Sequence, residues 1–152
     1  MIIGVQNFIF DNHSFLEPRL LIAKRSNIKN IAPGKWNVIG GKKEDNEDLY
    51  AASVREIKEE VDLDIFESDL FFLYEKKVSW EKENHFSSNS FYINLTKCFH
   101  NYSISLNPEH SEFKFVTLEQ ALEIGIIGFS DIEIKLIFKI NEINNNNKTE
   151  IY

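Results

Sequence analysis

Apolar and polar positions along the chain change period several times, and each change predicts an element. Ile2 to Phe10 is apolar with polar breaks and runs into a turn-like Asp11-Asn12-His13-Ser14, which predicts an N-terminal strand. Arg19-Leu20-Leu21-Ile22-Ala23-Lys24-Arg25 reads as a second strand, paired with the first as a hairpin or meander. Ala32-Pro33-Gly34-Lys35 is a loop signal, and Trp36-Asn37-Val38-Ile39 a brief strand running into Gly40-Gly41. From Asp48 to Val61 the period lengthens: Tyr50, Val54, Ile57 and Val61 recur at helical spacing, and no Gly or Pro interrupts them. Ile65 to Trp80 and Phe91 to Phe99 are rich in β-branched and aromatic residues and read as strands, with the polar stretch Glu81 to Asn89 as the loop between. Glu112 to Val116 alternates like a half-buried strand. Thr117 with Gln120 has the form of a capping box, which opens a short helix. A longer helix, Ser130 to Asn141, follows, and 144–152 reads as a frayed polar tail.

Strands and helices are intermixed without a regular βαβα series. This predicts an α+β fold, a mixed, partly antiparallel sheet with helices packed on it, and not a doubly wound parallel sheet. A chain of 152 residues suits one domain, taken as 1–143, and an apolar fraction of 43% with thirteen Phe supplies a core. Cys98 is the only cysteine, so an internal disulfide framework is excluded, and it is expected to act as a small buried hydrophobe. The N-terminal residues have no basic n-region and no cleavage pattern, and no apolar run reaches the length of a membrane span, so a cytoplasmic location is expected. Exposed Phe and Tyr leave monomer and homodimer both open.

The formal net charge is −7, from 24 acidic and 17 basic residues, which argues against binding duplex nucleic acid. The acids are also concentrated. Glu44, Asp45, Glu47, Asp48, Glu56, Glu59, Glu60 and Asp62 put eight of the 24 within nineteen residues. On an ideal helix Glu56 and Glu60 lie about 40° apart around the axis, with Glu59 on the adjoining flank, so three carboxylates share one side beside the apolar stripe. They are expected at the border between core and solvent. Such a face is either fully solvated, with Lys58 screening the acids, or it holds a cation. Oxygen ligands without Cys or His at zinc spacing point to a hard ion such as Mg²⁺.

The complete segment from Gly41 to Leu63 resembles the Nudix box, in which a Gly is followed after five residues by Glu, and after seven more by Arg-Glu-aliphatic-any-Glu-Glu-any-Gly-aliphatic. Gly41, Glu47, Arg55, Glu56, Ile57, Glu59, Glu60 and Leu63 fall in register over 23 of 152 residues. Asp62 departs from the pattern, standing where the family has Gly. A Gly there eases the backbone out of the helix through a left-handed residue, a conformation Asp tolerates better than most.

The resemblance implies an α/β/α sandwich and a Mg²⁺-dependent hydrolase, with Mn²⁺ as a substitute. Its substrate would be a small nucleoside diphosphate derivative, cleaved at a phosphoanhydride bond. It implies Glu56 and Glu60 as metal ligands, Glu59 as a further ligand or base, and Gly41 or Gly40 as a carbonyl donor. Arg55 and Glu47 would form an internal ion pair that braces the loop. A further acid is expected from the segment Pro108 to Phe115, with Glu109 and Glu112 both candidates and His110 a loop residue. Arg25 and Lys42 are candidates for the phosphates. Trp36 to Lys42 is similar to the segment preceding the box in enzymes that remove oxidised purine nucleoside triphosphates, which makes Asn37 a candidate base reader. Asp131 is a second one. Against these stand the readings of Asn37 as a turn residue and of Asp131 as an N-terminal helix acid. Nucleotide sugars, dinucleoside polyphosphates and a non-catalytic nucleotide-sensing module remain alternatives.

Overall fold

The computed structural model describes residues 1–13, 17–26, 34–80, 84–99 and 101–146. Ser14, Ala32, Pro33 and residues 147–152 of the expected tail lie outside the described residues.

Alternation along the first strand organises the molecule. In β1 (Ile2–Asp11), Val5 and Ile9 face one side of the sheet while Phe8 and Phe10 face the other, and all four are fully buried. A strand buried on both faces must be covered by helices on both, so the fold is an α/β/α sandwich. One face carries α1 (Leu49–Val61), whose Ala52, Ile57 and Val61 pack on Val5, Ile9, Ile39 and Phe91. The other carries α3 (Leu118–Ile124) and α4 (Asp131–Asn146), whose Ala121, Ile134, Ile137 and Phe138 close over Phe8, Phe10 and Tyr92.

The sheet has seven strands among the described residues. β1 pairs in parallel along its length with β6 (Asn84–Asn94), which pairs antiparallel with β5 (Phe71–Trp80). The other edge of β1 is shared. β4 (Ile39–Lys42) takes Gly4 to Asn7, and β2 (Arg19–Arg25) takes Phe10 and Asp11. β2 in turn pairs antiparallel with β3 (Trp36–Asn37) and with β7 (His110–Val116). The mixed sheet is therefore as expected, with only the β1–β6 pair parallel.

Local chemistry explains most boundaries. The Asp48 side chain accepts the Ala51 N–H at 2.8 Å and caps α1. At the other end Asp62 sits in the left-handed region, φ 59° and ψ 42°, and its N–H donates to the Lys58 carbonyl. That is the conformation in which the box pattern has Gly, and Lys58 further holds the Asp62 carboxylate at 2.8 Å. Thr117 and Gln120 form the expected capping box.

Several boundaries differ from expectation. The Trp36–Ile39 strand divides at Val38, and Gly40-Gly41 continue within β4 instead of ending it. Residues 84–89, expected in a loop, belong to β6. Ser87, Ser88 and Asn89 are buried there, in a strand that β1 and β5 flank on both edges, and Asn89 donates to the Gly4 carbonyl. Ile65 to Leu70 holds a 3₁₀ turn, and the strand ending at Asn94 gives way to α2 (Leu95–Cys98), whose Thr96 N–H the Asn94 side chain accepts. α4 runs on to Asn146, past the expected stop at Asn141. Asn141 is fully buried, and its amide is matched by Tyr92 Oη at 2.7 Å and Asn12 at 2.8 and 3.0 Å, so a polar residue lies inside the helix without cost to it.

Ile57 sits fully buried between α1 and the sheet. Its truncation leaves a cavity there, so Ile57→Ala should lower the unfolding free energy by about 2–5 kcal/mol, measured by urea denaturation.

Candidate active site

The site is built where α1 meets β4. Gly40 N–H donates to Glu60 Oε2 at 3.0 Å. A Cβ on Gly41 would fall well inside 3.0 Å of the Glu56 carboxyl group, and one on Gly40 well inside 3.0 Å of the Val5 carbonyl oxygen. Gly40 therefore excludes any side chain, one at Gly41 would displace the Glu56 carboxylate, and the bare backbone lets two carboxylates approach it.

Arg55 holds the acids from outside. Its Nε donates to both Glu47 oxygens, its Nη1 to Glu56 Oε1 at 2.9 Å and Glu59 Oε2 at 3.2 Å, and its Nη2 to the Lys42 carbonyl at 2.9 Å. Glu47 also accepts the Glu44 N–H at 2.9 Å, which braces the loop before α1. Hydrogen bonds from Arg55 hold the Glu47 carboxyl below its usual range, and Glu47 in turn raises the Arg55 guanidinium.

The two central acids are more buried than a helix border would make them, at 9% exposure for Glu56 and 3% for Glu60. Packing of β4 and of the loop before β7 over α1 covers them, a tertiary effect that periodicity alone does not contain. Glu59 stays exposed. Burial pushes the Glu56 carboxyl up to about 7, with the Glu60 charge adding and Arg55 opposing. Burial also raises Glu60, against the pull of His110 and the Gly40 N–H. The pair is thus a face where negative charge is held at a cost that a cation would remove.

A second segment completes it. The last turn of α1 leaves carbonyls unpaired. The loop before β7 supplies the donors: Ser105 N–H to Val61 O at 3.1 Å and Asn107 N–H to Glu60 O at 3.3 Å. His110 and Glu109 are thereby delivered beside Glu60. One potential ligand atom from each of Glu60, Glu109 and His110 lies within 4.8 Å of the others. His110 is thus not the loop residue expected: it opens β7 and is buried. The register between Arg25 and His110, with a bulge after Lys24, puts Arg25 at the same corner. Glu112 stands apart, facing Lys24 at 3.8 Å on the neighbouring strand.

The remaining candidates fall on two sides. Lys42 lies at the end of β4 on a shallow groove of about 510 Å³ lined also by Lys43, Glu44, Asp45, Arg55 and Glu56. Asn37 lies in β3, where its side-chain oxygen accepts the Val38 N–H at 2.8 Å, the turn-type bond set against base reading. The Trp36 carbonyl accepts the Ile127 N–H at 3.0 Å, tying β3 to the segment before α4, where Asp131 is the first, exposed residue. Sequence reasoning missed the group that anchors that helix. Tyr74 and Lys76 of β5 both bond Glu133, and the Ser130 N–H caps it at 2.9 Å. Only the register Tyr74–Ser90 and Lys76–Ser88 brings β5 under α4. A larger cleft, about 570 Å³ between Glu17, Thr117, Lys135 and Phe138, shares no lining residue with this face.

A mixed sheet between helices, with a loop–helix that buries paired acids against bare backbone, is the architecture of hydrolases that split nucleotide anhydrides. The NUDIX domain profile matches residues 3–133, and the chain belongs to that family, the Nudix hydrolases of nucleoside diphosphate-linked substrates. No curated protein matches the chain in sequence. Among solved structures it is similar to an Ap4A hydrolase from C. elegans, at 19% identity and a TM-score of 0.70, covering 96% of this chain and 99% of that one. It is similar to a MutT protein from Methanosarcina mazei Go1, at 22% identity and a TM-score of 0.66, covering 95% and 94%. A third is the NUDIX domain of Shewanella oneidensis NrtR, solved with ADP ribose, at 16% identity and a TM-score of 0.70, covering 93% and 87%. At such identities the likeness is one of fold. Among the described residues no helix is long and apolar enough to cross a membrane.

Two outcomes test this geometry. Glu56 and Glu60 hold protons more tightly folded than unfolded, so the cation-free protein should lose stability as pH rises. For Glu56 the contribution is complete below its unfolded value of 4.5 and lost through about 7. Glu47, shifted the other way, acts only at more acid pH. Melting in EDTA should therefore fall by several degrees between about pH 5 and about pH 8, and Glu56→Gln should flatten that slope. Gly41→Ala should fold but displace the Glu56 carboxylate, cutting turnover by about 100-fold or more, as steady-state kinetics would show.

Proposed function

We propose that this chain hydrolyses a nucleoside triphosphate, with oxidised purine deoxynucleoside triphosphates the leading class, to the nucleoside monophosphate and pyrophosphate with Mg²⁺ support. The observation that carries the reading is the buried Glu56–Glu60 pair held against the side-chain-free Gly40-Gly41 backbone. Two raised carboxyl groups with oxygen donors fit a hard divalent ion, and the cradle at Gly41 leaves room only for what the carboxylates bring in. In this reading Glu56 and Glu60 are the leading metal ligands, the Gly41 carbonyl is an added donor, and Glu109 rather than Glu112 is the downstream acid. A divalent ion there supplies charge neutralisation on the phosphates and a bound water of lowered pKa.

The chain's own residues do the rest. Glu59, exposed and steered by Arg55 at 3.2 Å, is positioned to take the proton of the attacking water. Arg55 and Glu47 keep the loop and helix in register. Arg25 and Lys42 neutralise substrate phosphates from the two borders of the face. Asn37 offers its amide N–H groups to a base, since its oxygen already accepts the Val38 N–H. Asp131 borders the same end of the sheet through the Trp36–Ile127 bond.

The test is a Mg²⁺-dependent hydrolysis screen over nucleoside triphosphates, oxidised purine triphosphates, nucleotide sugars and dinucleoside polyphosphates, with pyrophosphate and orthophosphate separated. Preferential release of pyrophosphate from one triphosphate is expected. Glu60→Gln should keep the wild-type circular dichroism and lose turnover by about 100-fold or more. Turnover confined to a sugar or dinucleotide would sink the triphosphate reading and the role of Asn37. Wild-type rates in Glu60→Gln would sink the metal assignment.

A further inference from the structure

The acidic corner contains one side chain that the proposed chemistry leaves without a task. His110 shows only 4% of its side chain to solvent, and neither ring nitrogen has a hydrogen-bond partner. Its Nε2 lies 3.5 Å from Glu60 Oε1, out of hydrogen-bond alignment. Buried polar atoms are nearly always satisfied, and one left unpaired costs about 1–3 kcal/mol. The placement is built and not incidental. Asn107 is bonded to the Glu60 carbonyl, its own carbonyl accepts the His110 N–H at 3.2 Å, and its side chain accepts the Glu109 N–H at 3.1 Å. Three elements thus aim an imidazole and two carboxylates at one point, with their ligand atoms within 4.8 Å of one another.

We propose that His110 Nε2 is a nitrogen ligand to a divalent cation shared with Glu60 and Glu109, so that this corner takes a first-row transition ion such as Mn²⁺ ahead of Mg²⁺. The inference rests on the reading of the Glu56–Glu60 face as cation-binding. In the tautomer that carries its proton on Nδ1, a neutral imidazole turns the Nε2 lone pair toward the Glu60 carboxylate, and the two repel. A cation between Nε2 and Oε1 turns that repulsion into two bonds. Adjacent ligand atoms on one ion of this size stand roughly 3 Å apart, so the 3.5 Å between Nε2 and Glu60 Oε1 is already close to what a shared ion needs. Oxygen-only sites suit Mg²⁺, whereas an imidazole donor moves preference toward the transition ions. The hydrophobic packing around β7 and the bond from Ser26 N–H to the Glu109 carbonyl, at 2.8 Å, keep the ring from swinging away.

The experiment is Mn²⁺ titration of the metal-free full-length protein, counted by electron paramagnetic resonance, with pulsed detection of ¹⁴N coupling from a directly bound imidazole. The wild type should bind Mn²⁺ with that coupling. His110→Gln should still bind Mn²⁺ but lose the coupling, and its preference for Mn²⁺ over Mg²⁺ should drop about tenfold or more. The triple variant His13→Gln, His85→Gln, His100→Gln leaves His110 as the only histidine and should retain the coupling, which keeps the test decisive if His110→Gln does not fold. Bound Mn²⁺ without nitrogen coupling in the wild type would overturn the role of His110 and leave the cation-binding reading standing. Coupling that survives in folded His110→Gln, or vanishes in the triple variant, would overturn it too. No Mn²⁺ bound by the wild type would overturn both.

Discussion

Everything in the candidate site depends on one guanidinium. Arg55 lies on α1, yet it reaches Glu47 and the Lys42 carbonyl on the preceding loop and strand, and Glu56 and Glu59 on its own helix. Without it, these three acids would face one another across a partly desolvated surface, and like charges at such spacing oppose both the helix and its docking. With it, the loop, the end of β4 and the helix become one rigid unit. Arginine suits this better than lysine because its planar fork serves several partners at once and never loses its charge.

That unit sits where it does because of how β1 is shared. One edge of β1 is taken whole by β6, while the other is divided between β4 and β2. β4 brings Gly40-Gly41 under α1, and β2 brings Arg25 and, through β7, His110 and Glu109 to the same place. The acids of the helix and those of the loop thus meet at the junction of two half-sheets. The loop before β7 is pinned by the very carbonyls that the end of α1 leaves unpaired, so helix termination and site assembly are one event.

Stability and chemistry pull in opposite directions here. Glu56 and Glu60 are buried deeply enough to resist ionisation, and the His110 ring lies beside Glu60 with neither nitrogen hydrogen-bonded. A fold selected only for stability would place apolar groups in such a corner. Local strain of this kind is tolerated because the two cores, on either face of the sheet, hold the backbone from both sides.

Much of this was legible in the sequence. The helical run of Tyr50, Val54, Ile57 and Val61 located α1, and residue spacing from Gly41 to Leu63 located the acids, because both are short-range properties set by turn angle and side-chain chemistry. The Thr117–Gln120 cap was readable for the same reason, whereas bracing by Glu47 and Arg55 and the left-handed Asp62 followed from the resemblance to the Nudix box. Other features depended on partners far away in the chain. Polar Ser87 to Asn89 form a strand because β1 and β5 flank them, and Asn141 stays inside a helix because Asn12 and Tyr92 satisfy it. The choice of Glu109 over Glu112 as Glu60's neighbour, and the burial of His110, follow from a loop stapled to α1 and a bulge in β2. Residue types and spacing determine which groups a chain can offer. Which of them share a point in space is decided by long-range pairing, and only the tertiary structure contains it.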